Sequence, residues 1–190
     1  MKSNANFLET LLKFGVSENS AKAFIAAFEP VEFAKKEIIT AQGTVEHYFY
    51  FVVEGIQKSV FTKHGKEHVV AFSYPGQTTG VPDSLMNQMP SPVDLVALTN
   101  SSLLKLHYNK LQEFIHTNQE ITKLMMQGYE FLITGLIQRQ YELQAFNMKE
   151  RFEIFYGRSK HLINHIPRKD IASYLNMDAT NLSKLMAQLD

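Results

Sequence analysis

The chain has 190 residues, of which 45% are apolar and 20% are charged, and its 19 Lys and Arg balance 19 Asp and Glu. This composition is ordinary for a folded globular protein, and zero net charge argues against a general polyanion binder. The absence of cysteine excludes disulfides, cysteine-ligated zinc fingers and cysteine-held iron–sulfur clusters. Without a bilayer-length apolar run or a signal-peptide pattern, we expect a cytoplasmic protein that does not contact a membrane.

The amino-terminal third changes from a helical to a strand-like pattern. Residues 6–28 carry apolar side chains at helical spacing, interrupted by Gly15, which predicts two short helices. Residues 31–107 form short runs rich in Val, Phe, Tyr and Thr between Gly and Pro residues, as is typical of strands. The clearest predicted strands are 48–53, 57–62, 67–72, 94–98 and 102–106. With no helix predicted between them, these strands favour an antiparallel sandwich or barrel such as the jelly roll.

From Tyr108 the chain is predicted to be helical for nearly forty residues. Apolar or small residues and one arginine recur at three- and four-residue steps and so lie on one stripe of one long helix. The stripe comprises Ile121, Leu124 or Met125, Gly128, Leu132, Gly135, Arg139 and Leu143. A small barrel cannot cover so long an apolar face, so we predict that it pairs with a second chain in a homodimer. The alternative is that the stripe packs on its own barrel.

Residues 166–189 have the pattern of a helix-turn-helix. Pro167 predicts a helix start, Asn176 falls where a left-handed residue must end that helix, and Asp178 is placed to cap a second helix. Asn181 would read adenine, and Lys184 guanine or a phosphate. The residues predicted to contact DNA are Arg168, Lys169, Ala179, Thr180, Asn181, Ser183 and Lys184. An ordinary helical hairpin is the alternative.

The order of these elements resembles that of the CRP/FNR family of bacterial transcription regulators. The resemblance extends over residues 24–189 and is carried by segments 48–55, 66–72, 75–76, 97–106 and 166–175. It implies an α+β fold: an antiparallel double-sheet jelly-roll barrel with flanking helices, a long dimerisation helix and a C-terminal helix-turn-helix without a full wing. It divides the chain into a cyclic-nucleotide-binding-like sensor (1–108), a dimerisation helix (109–146) and a DNA-binding domain (147–190).

The effector pocket implied by this resemblance departs from the family pattern. Members that bind cyclic AMP use a glutamate for the ribose and an arginine followed by Ser or Thr for the cyclic phosphate. The corresponding positions here are Gly80, Val81, Ser91 and Pro92, which cannot supply charge-assisted hydrogen bonds. We therefore expect an unidentified small-molecule effector other than cyclic AMP, and no cofactor.

The recognition helix also departs from the family, because it lacks the arginines and the glutamate that read the usual inverted repeat. We expect a different DNA sequence, and weak, salt-sensitive binding to double-stranded DNA. Two alternatives remain. A degenerate sensor or interaction protein would keep the fold without reading DNA, and a cupin-like metal enzyme would use His47, His64, His68 or His107. The histidines lack a metal-binding spacing, so neither a metal site nor an enzyme is predicted.

Overall fold

Two four-stranded antiparallel sheets form the centre of the molecule in the computed structural model, which describes residues 2–188. One sheet has the strand order β1-β8-β3-β6 and the other β2-β7-β4-β5. The strands are β1 (Glu29–Phe33), β2 (Ile38–Thr40), β3 (Tyr48–Glu54), β4 (Gln57–Lys63), β5 (Lys66–Ser73), β6 (Thr78–Thr79), β7 (Asp94–Ala97) and β8 (Ser101–His107). The five predicted strands are confirmed with nearly the predicted bounds, as is the antiparallel double-sheet barrel.

Helices lie before, within and after the barrel. They are α1 (Lys2–Lys13), α2 (Glu18–Ala26), α3 (Pro82–Asn87), α4 (Tyr108–Thr117), α5 (Gln119–Ala145), α6 (Met148–Ser159), α7 (Arg168–Tyr174) and α8 (Ala179–Met186), with a 3₁₀ turn at Lys160–Leu162. The prediction that no helix interrupts the strands was wrong, because α3 lies between β6 and β7. Pro82 at its first position and Asp83 in its first turn were the available signals.

An aromatic core joins α1 and α2 to the barrel. The rings of Phe7 and Phe51 stack with centroids 4.0 Å apart, and Phe28 meets Phe7 edge-on at 5.1 Å. The first turns of α5 enter the same core through Ile121 and Met125, both of which are buried. The amino-terminal part of α5 therefore packs as part of the barrel domain.

The single long helix predicted after Tyr108 is two helices, divided at Asn118. Asn118 adopts an extended conformation, and its side chain accepts hydrogen bonds from the N–H groups of Glu120 and Ile121. An asparagine in this position satisfies the unpaired donors at a helix start. The hydroxyl of Thr122 donates to the carbonyl of Ile115 at 2.6 Å, which fixes the end of α4 against the start of α5. The helix proposed for dimerisation thus begins at Gln119.

A second core lies where α6, α7 and α8 meet. Phe155, Ile171 and Leu182 are buried in it, together with Ile56 and Leu98 of the barrel. Because barrel residues contribute to this core, the C-terminal helices pack directly on the barrel. The fold prediction, including the long helix and the paired C-terminal helices, is confirmed at the level of architecture.

Candidate nucleic-acid interface and effector position

Helices α7 and α8 form a two-helix unit (residues 168–186) with a tight turn. Asn176 has φ +51°, the left-handed conformation predicted for it, and its N–H donates to the carbonyl of Ser173. Ala172 and Leu182 are buried, as expected where two helices cross. Asp178 precedes α8 in an extended conformation without a side-chain capping bond, and Pro167 lies just before α7 rather than inside it.

A buried arginine supports the turn from behind. The guanidinium of Arg151, on α6, donates to the carbonyls of Phe146 and Asn176 at 2.8 and 3.2 Å. The side chain therefore ties the turn of the two-helix unit to the end of α5. Sequence reasoning missed this role, because nothing in the local pattern separates Arg151 from a solvated basic residue.

The predicted DNA-contacting residues share one region but differ in exposure. Arg168, Lys169, Ala179, Thr180 and Lys184 are exposed, while Asn181 and Ser183 are half-buried. The amide of Asn181 lies 3.6 Å from the sulfur of Met148, and the Ser183 hydroxyl donates to the carbonyl of Ala179. The side chains at the amino-terminal end of α8 therefore reach solvent, with Lys184 as the cation of that helix.

The stripe predicted as a dimer seam lies on a face of α5 whose two ends contact the rest of the chain, while Gly128, Leu132 and Gly135 between those ends are exposed. We call this the inner face; it comprises Ile121, Leu124, Gly128, Leu132, Gly135, Arg139 and Leu143. At one end Ile121 is fully buried in the barrel core. At the other end the guanidinium of Arg139 lies 4.1 Å from the ring centroid of Tyr174 and hydrogen-bonds the carbonyl of that residue. Both ends of the stripe thus pack against other parts of the same chain.

Buried charges strengthen the inner face near its carboxyl end. The carboxylate of Glu142 is 1% exposed and accepts hydrogen bonds from Arg158 at 2.7 and 3.1 Å and from Arg139 at 3.2 Å. Arg158 also donates to the hydroxyl of Tyr174. Burial opposes the charge of Arg158, but the bonds to Glu142 and Tyr174 outweigh it and raise the pKa of Arg158. This cluster fastens α5 to α6 and α7.

The opposite side of α5 is apolar and exposed. Met126, Ile133, Ile137 and Tyr141 follow one another at steps of seven and four residues, which places them on one side of a helix that turns about 100° per residue. They are 60%, 56%, 48% and 62% exposed, respectively, and we call this set the outer face. Every residue from 131 to 138 is exposed. Exposed apolar surface of this kind is a candidate interaction site.

The positions corresponding to a cyclic phosphate site are filled by the chain's own groups. Val81 is buried in the barrel. The Ser91 hydroxyl donates to the carbonyl of Val93 at 2.6 Å and accepts from the N–H of the same residue. The Ser91 backbone N–H bonds the carbonyl of Thr44. Pro92 has no N–H, so this segment offers few donors to an anion.

Charge near this segment also disfavours an anionic ligand. The sequence holds no Lys or Arg between Lys66 and Lys105. Glu46, adjacent to the bridge between Val45 and Pro90, is 2% exposed, and burial raises the pKa of its carboxyl group despite hydrogen bonds from Thr40 and from the N–H of Tyr48. Glu46 is thus a buried acidic group close to Pro90, and the segment around Pro90 supplies no Lys or Arg.

The barrel histidines do not assemble into a metal centre. The rings of His47 and His107 lie parallel with centroids 6.4 Å apart, and His64 lies at the hairpin turn between β4 and β5. Within residues 2–188, no three His, Asp or Glu side chains are grouped so as to hold a metal ion.

Comparison with known proteins agrees with the barrel architecture. The cyclic nucleotide-binding domain family matches residues 30–118. The potassium channel KAT1 of Oryza sativa subsp. japonica is 30% identical over 155 residues, which are 82% of this chain and 20% of the channel. The chain therefore spans about a fifth of the length of this curated relative. None of the helices among residues 2–188 has the length and apolarity needed to cross a membrane.

Solved structures share the arrangement of nearly the whole chain. FixK2 from Bradyrhizobium japonicum aligns with TM-score 0.76 and 19% identity, covering 85% of this chain and 84% of its own. A CooA mutant from Carboxydothermus hydrogenoformans aligns with TM-score 0.70 and 14% identity over 87% and 78% of the two chains. The catabolite activator protein of Thermus thermophilus aligns with TM-score 0.60 and 20% identity over 95% and 86%. At these identities the likeness concerns the fold.

Proposed function

Starting from a chain with a cyclic nucleotide-binding domain in a CRP/FNR-type fold, we propose that the protein is a dimeric transcription regulator that binds double-stranded DNA. The observation that carries this proposal is the exposed amino-terminal end of α8, with Thr180 and Lys184 in solvent. A helix held this way by a partner helix can enter the major groove with its first residues at the base edges. The protein would act in the cytoplasm, and no catalytic group is assigned to it.

Dimerisation is the second part of the proposal. The outer face of α5 is apolar and uncovered in the single chain, and the same face of a second copy would complement it around a two-fold axis. Pairing there would bury Ile133 and Ile137 and bring two two-helix units together. Because each unit has few cations, two units on one inverted repeat would be needed for useful affinity.

The DNA-binding proposal is tested by selecting bound sequences from random duplex DNA at low and at moderate salt. We expect an inverted repeat to be enriched, most strongly at low salt. The variant with Thr180→Ala, Asn181→Ala and Lys184→Ala should lose the enrichment while keeping its fold. A matched control is Lys110→Ala, which removes an exposed cation on α4, far along the chain from the two-helix unit.

A degenerate sensor that no longer reads DNA is the second candidate, and the scarcity of cations on α8 is the observation that favours it. If the wild-type chain enriches no sequence even at low salt, this candidate replaces the regulator.

The effector of the barrel is proposed to be a small molecule without a cyclic phosphate. A thermal-shift titration tests this directly, since a ligand that binds only the folded state raises Tm as its concentration passes Kd. We expect no shift with cyclic AMP up to millimolar concentration. A shift at micromolar cyclic AMP would contradict the assignment of Val81 and Pro92 as residues that cannot hold a cyclic phosphate.

A further inference from the structure

Helix α7 is joined to the barrel of its own chain by a buried ion pair. The ammonium of Lys58, on β4, lies 3.1 Å from a carboxylate oxygen of Asp170 and 3.4 Å from one of Glu67. The side chains of Lys58 and Asp170 are 10% and 6% exposed, whereas that of Glu67 is 59% exposed. Asp170 is therefore the buried partner of Lys58, and Glu67 is a solvated neighbour.

The same helix also covers the edge of a sheet. Strand β5 is the last strand in the order β2-β7-β4-β5, and an edge strand exposes N–H groups without strand partners. The N–H of Val69, on β5, donates to the hydroxyl of Ser173 at 3.0 Å. The rings of Phe72 and Tyr174 pack with centroids 5.3 Å apart. Together with the pair of Lys58 and Asp170, these contacts form what we call the docking contact.

The strand that carries Lys58 also reaches the barrel interior. Gln57, the preceding residue, is fully buried and donates to the hydroxyl of Ser101 at 2.9 Å, while its carbonyl oxygen accepts from Ser73. Ser73 is in turn 2.8 Å from the hydroxyl of Thr79, next to Gly80. Neighbouring residues of a strand point to opposite faces, so β4 connects the barrel interior with α7.

We propose that the docking contact fixes the orientation of the two-helix unit relative to the barrel and α5, with Lys58 and Asp170 as positioning residues for DNA reading. The proposal rests on the DNA-binding function proposed above. The exposed end of α8 is not covered by the docking contact, so docking does not occlude it. Instead, docking sets the separation of the two reading helices in a dimer, and therefore the spacing of the DNA half-sites that they reach together.

The ion pair suits this role because removing only one of its two charges destabilises the docked arrangement. A buried lysine that loses its carboxylate partner keeps an uncompensated charge in a low-dielectric setting. The Lys58 ammonium would recover hydration by moving into solvent, and α7 would leave β5. If only one dimer in ten then had both of its two-helix units docked, apparent DNA affinity would fall about tenfold, because affinity scales with the competent fraction.

The test compares Asp170→Asn with Glu67→Gln, which removes the exposed carboxylate beside the same lysine. In the absence of DNA, the rate of hydrogen exchange at the Val69 amide measures whether α7 is docked on β5. Selection on inverted repeats of varied spacing measures which half-site separations the dimer accepts. For Asp170→Asn we expect faster Val69 exchange, roughly tenfold weaker DNA binding and acceptance of several spacings. Glu67→Gln should match the wild type. Ser173→Ala is a milder second variant that removes the acceptor of the Val69 N–H.

A covalent cross-link in place of the ion pair should restore docking. Because the sequence contains no cysteine, the reagent reacts only with cysteines that are introduced. In the double variant Lys58→Cys and Asp170→Cys, a short bis-maleimide should restore wild-type affinity and spacing preference, whereas capping with N-ethylmaleimide should not. Equal binding by the cross-linked and capped forms would overturn the proposal. So would unchanged Val69 exchange in both Asp170→Asn and Ser173→Ala. Failure of the wild-type chain to bind any DNA would instead overturn the proposed function, and the exchange data would still decide whether these residues hold α7.

Discussion

The two faces of α5 differ in what their side chains contact. On the inner face, Ile121 is buried in the barrel core and Arg139 packs on Tyr174. On the outer face, Ile133 and Ile137 contact nothing that shields them from water. The helix thus contacts its own chain at both ends of the inner face, whereas the outer face is an uncovered apolar surface. Apolar periodicity alone does not distinguish these two uses, because both produce three- and four-residue spacing.

Charging the outer face should have the largest effect. In the double variant Ile133→Glu and Ile137→Glu, dimerisation would bury four carboxylates without partners, and each buried unpaired charge costs several kcal/mol. Since about 1.4 kcal/mol is tenfold in Kd, we expect the dimer to weaken by more than about a hundredfold in sedimentation equilibrium. Ile38→Glu is the matched control, as Ile38 is 52% exposed on β2, and it should leave the dimer intact.

Breaking the inner face should instead destabilise the single chain. Glu142→Gln removes the buried charge that Arg139 and Arg158 share. We expect a loss of about 2–3 kcal/mol in the free energy of unfolding, below the largest values for buried pairs because Arg158 can turn to solvent. Denaturant unfolding would measure it. The control Glu113→Gln breaks a surface pair with Lys110 and should cost less than about 1 kcal/mol.

Substitution of the glycines of α5 tests whether the dimer forms through the inner face or through the outer face. A Cβ added at Gly128 or Gly135 would meet no atom within 4 Å in the single chain, and alanine is favoured over glycine in a helix by about 1 kcal/mol. Gly128→Ala and Gly135→Ala should therefore each stabilise the fold by up to about that amount and leave the dimer unchanged. If the double variant is as well folded as expected but monomeric, the seam runs through the inner-face glycines, as the sequence pattern predicted.

The smallest effect concerns Glu46, whose buried carboxylate accepts hydrogen bonds from the Thr40 hydroxyl and the Tyr48 N–H rather than from arginines. Burial raises the pKa of Glu46 above its unfolded value, which is about 4.3. Below that pH the Glu46 carboxyl group is protonated in both the folded and the unfolded protein, and the folded state keeps its full stability. As the pH rises, the carboxyl group ionises first in the unfolded protein, and the free energy of unfolding falls. Glu46→Gln should therefore gain stability relative to the wild type between pH 4 and pH 7 in denaturant titrations. Glu9→Gln, where Lys13 lowers the pKa of the carboxyl group, should show the opposite trend.

Local chemistry made much of the fold predictable from sequence. Glycine turns and alternating strands indicated the barrel, and the left-handed Asn176 was predicted because asparagine tolerates that conformation better than other residues with a side chain. The division at Asn118 was missed because apolar periodicity continues through it, and the capping role of the residue depends on where the chain bends. Helix α3 was missed because a single turn of helix hardly differs from a loop in composition.

The candidate site was only partly predictable. The identities of Thr180 and Lys184 followed from their place at the start of a helix, since that position alone determines which residues can meet a groove. The half-burial of Asn181 against Met148, the support from Arg151 and the pair of Lys58 and Asp170 all join residues distant in sequence. Such contacts depend on how separate elements pack, and a single sequence carries no local signal for them.

The central claim, that two chains joined through α5 read an inverted repeat, is tested most directly by titrating DNA with the wild type and with the Ile133→Glu, Ile137→Glu variant at two salt concentrations. The DNA is the selected inverted repeat or one of its half-sites. We predict that the wild type prefers the repeat by more than about a hundredfold, that raising the salt concentration weakens its binding to the repeat, and that the variant binds both DNAs equally weakly. Equal wild-type affinity for the repeat and the half-site, or wild-type-like binding of the repeat by a monomeric variant, would contradict the account.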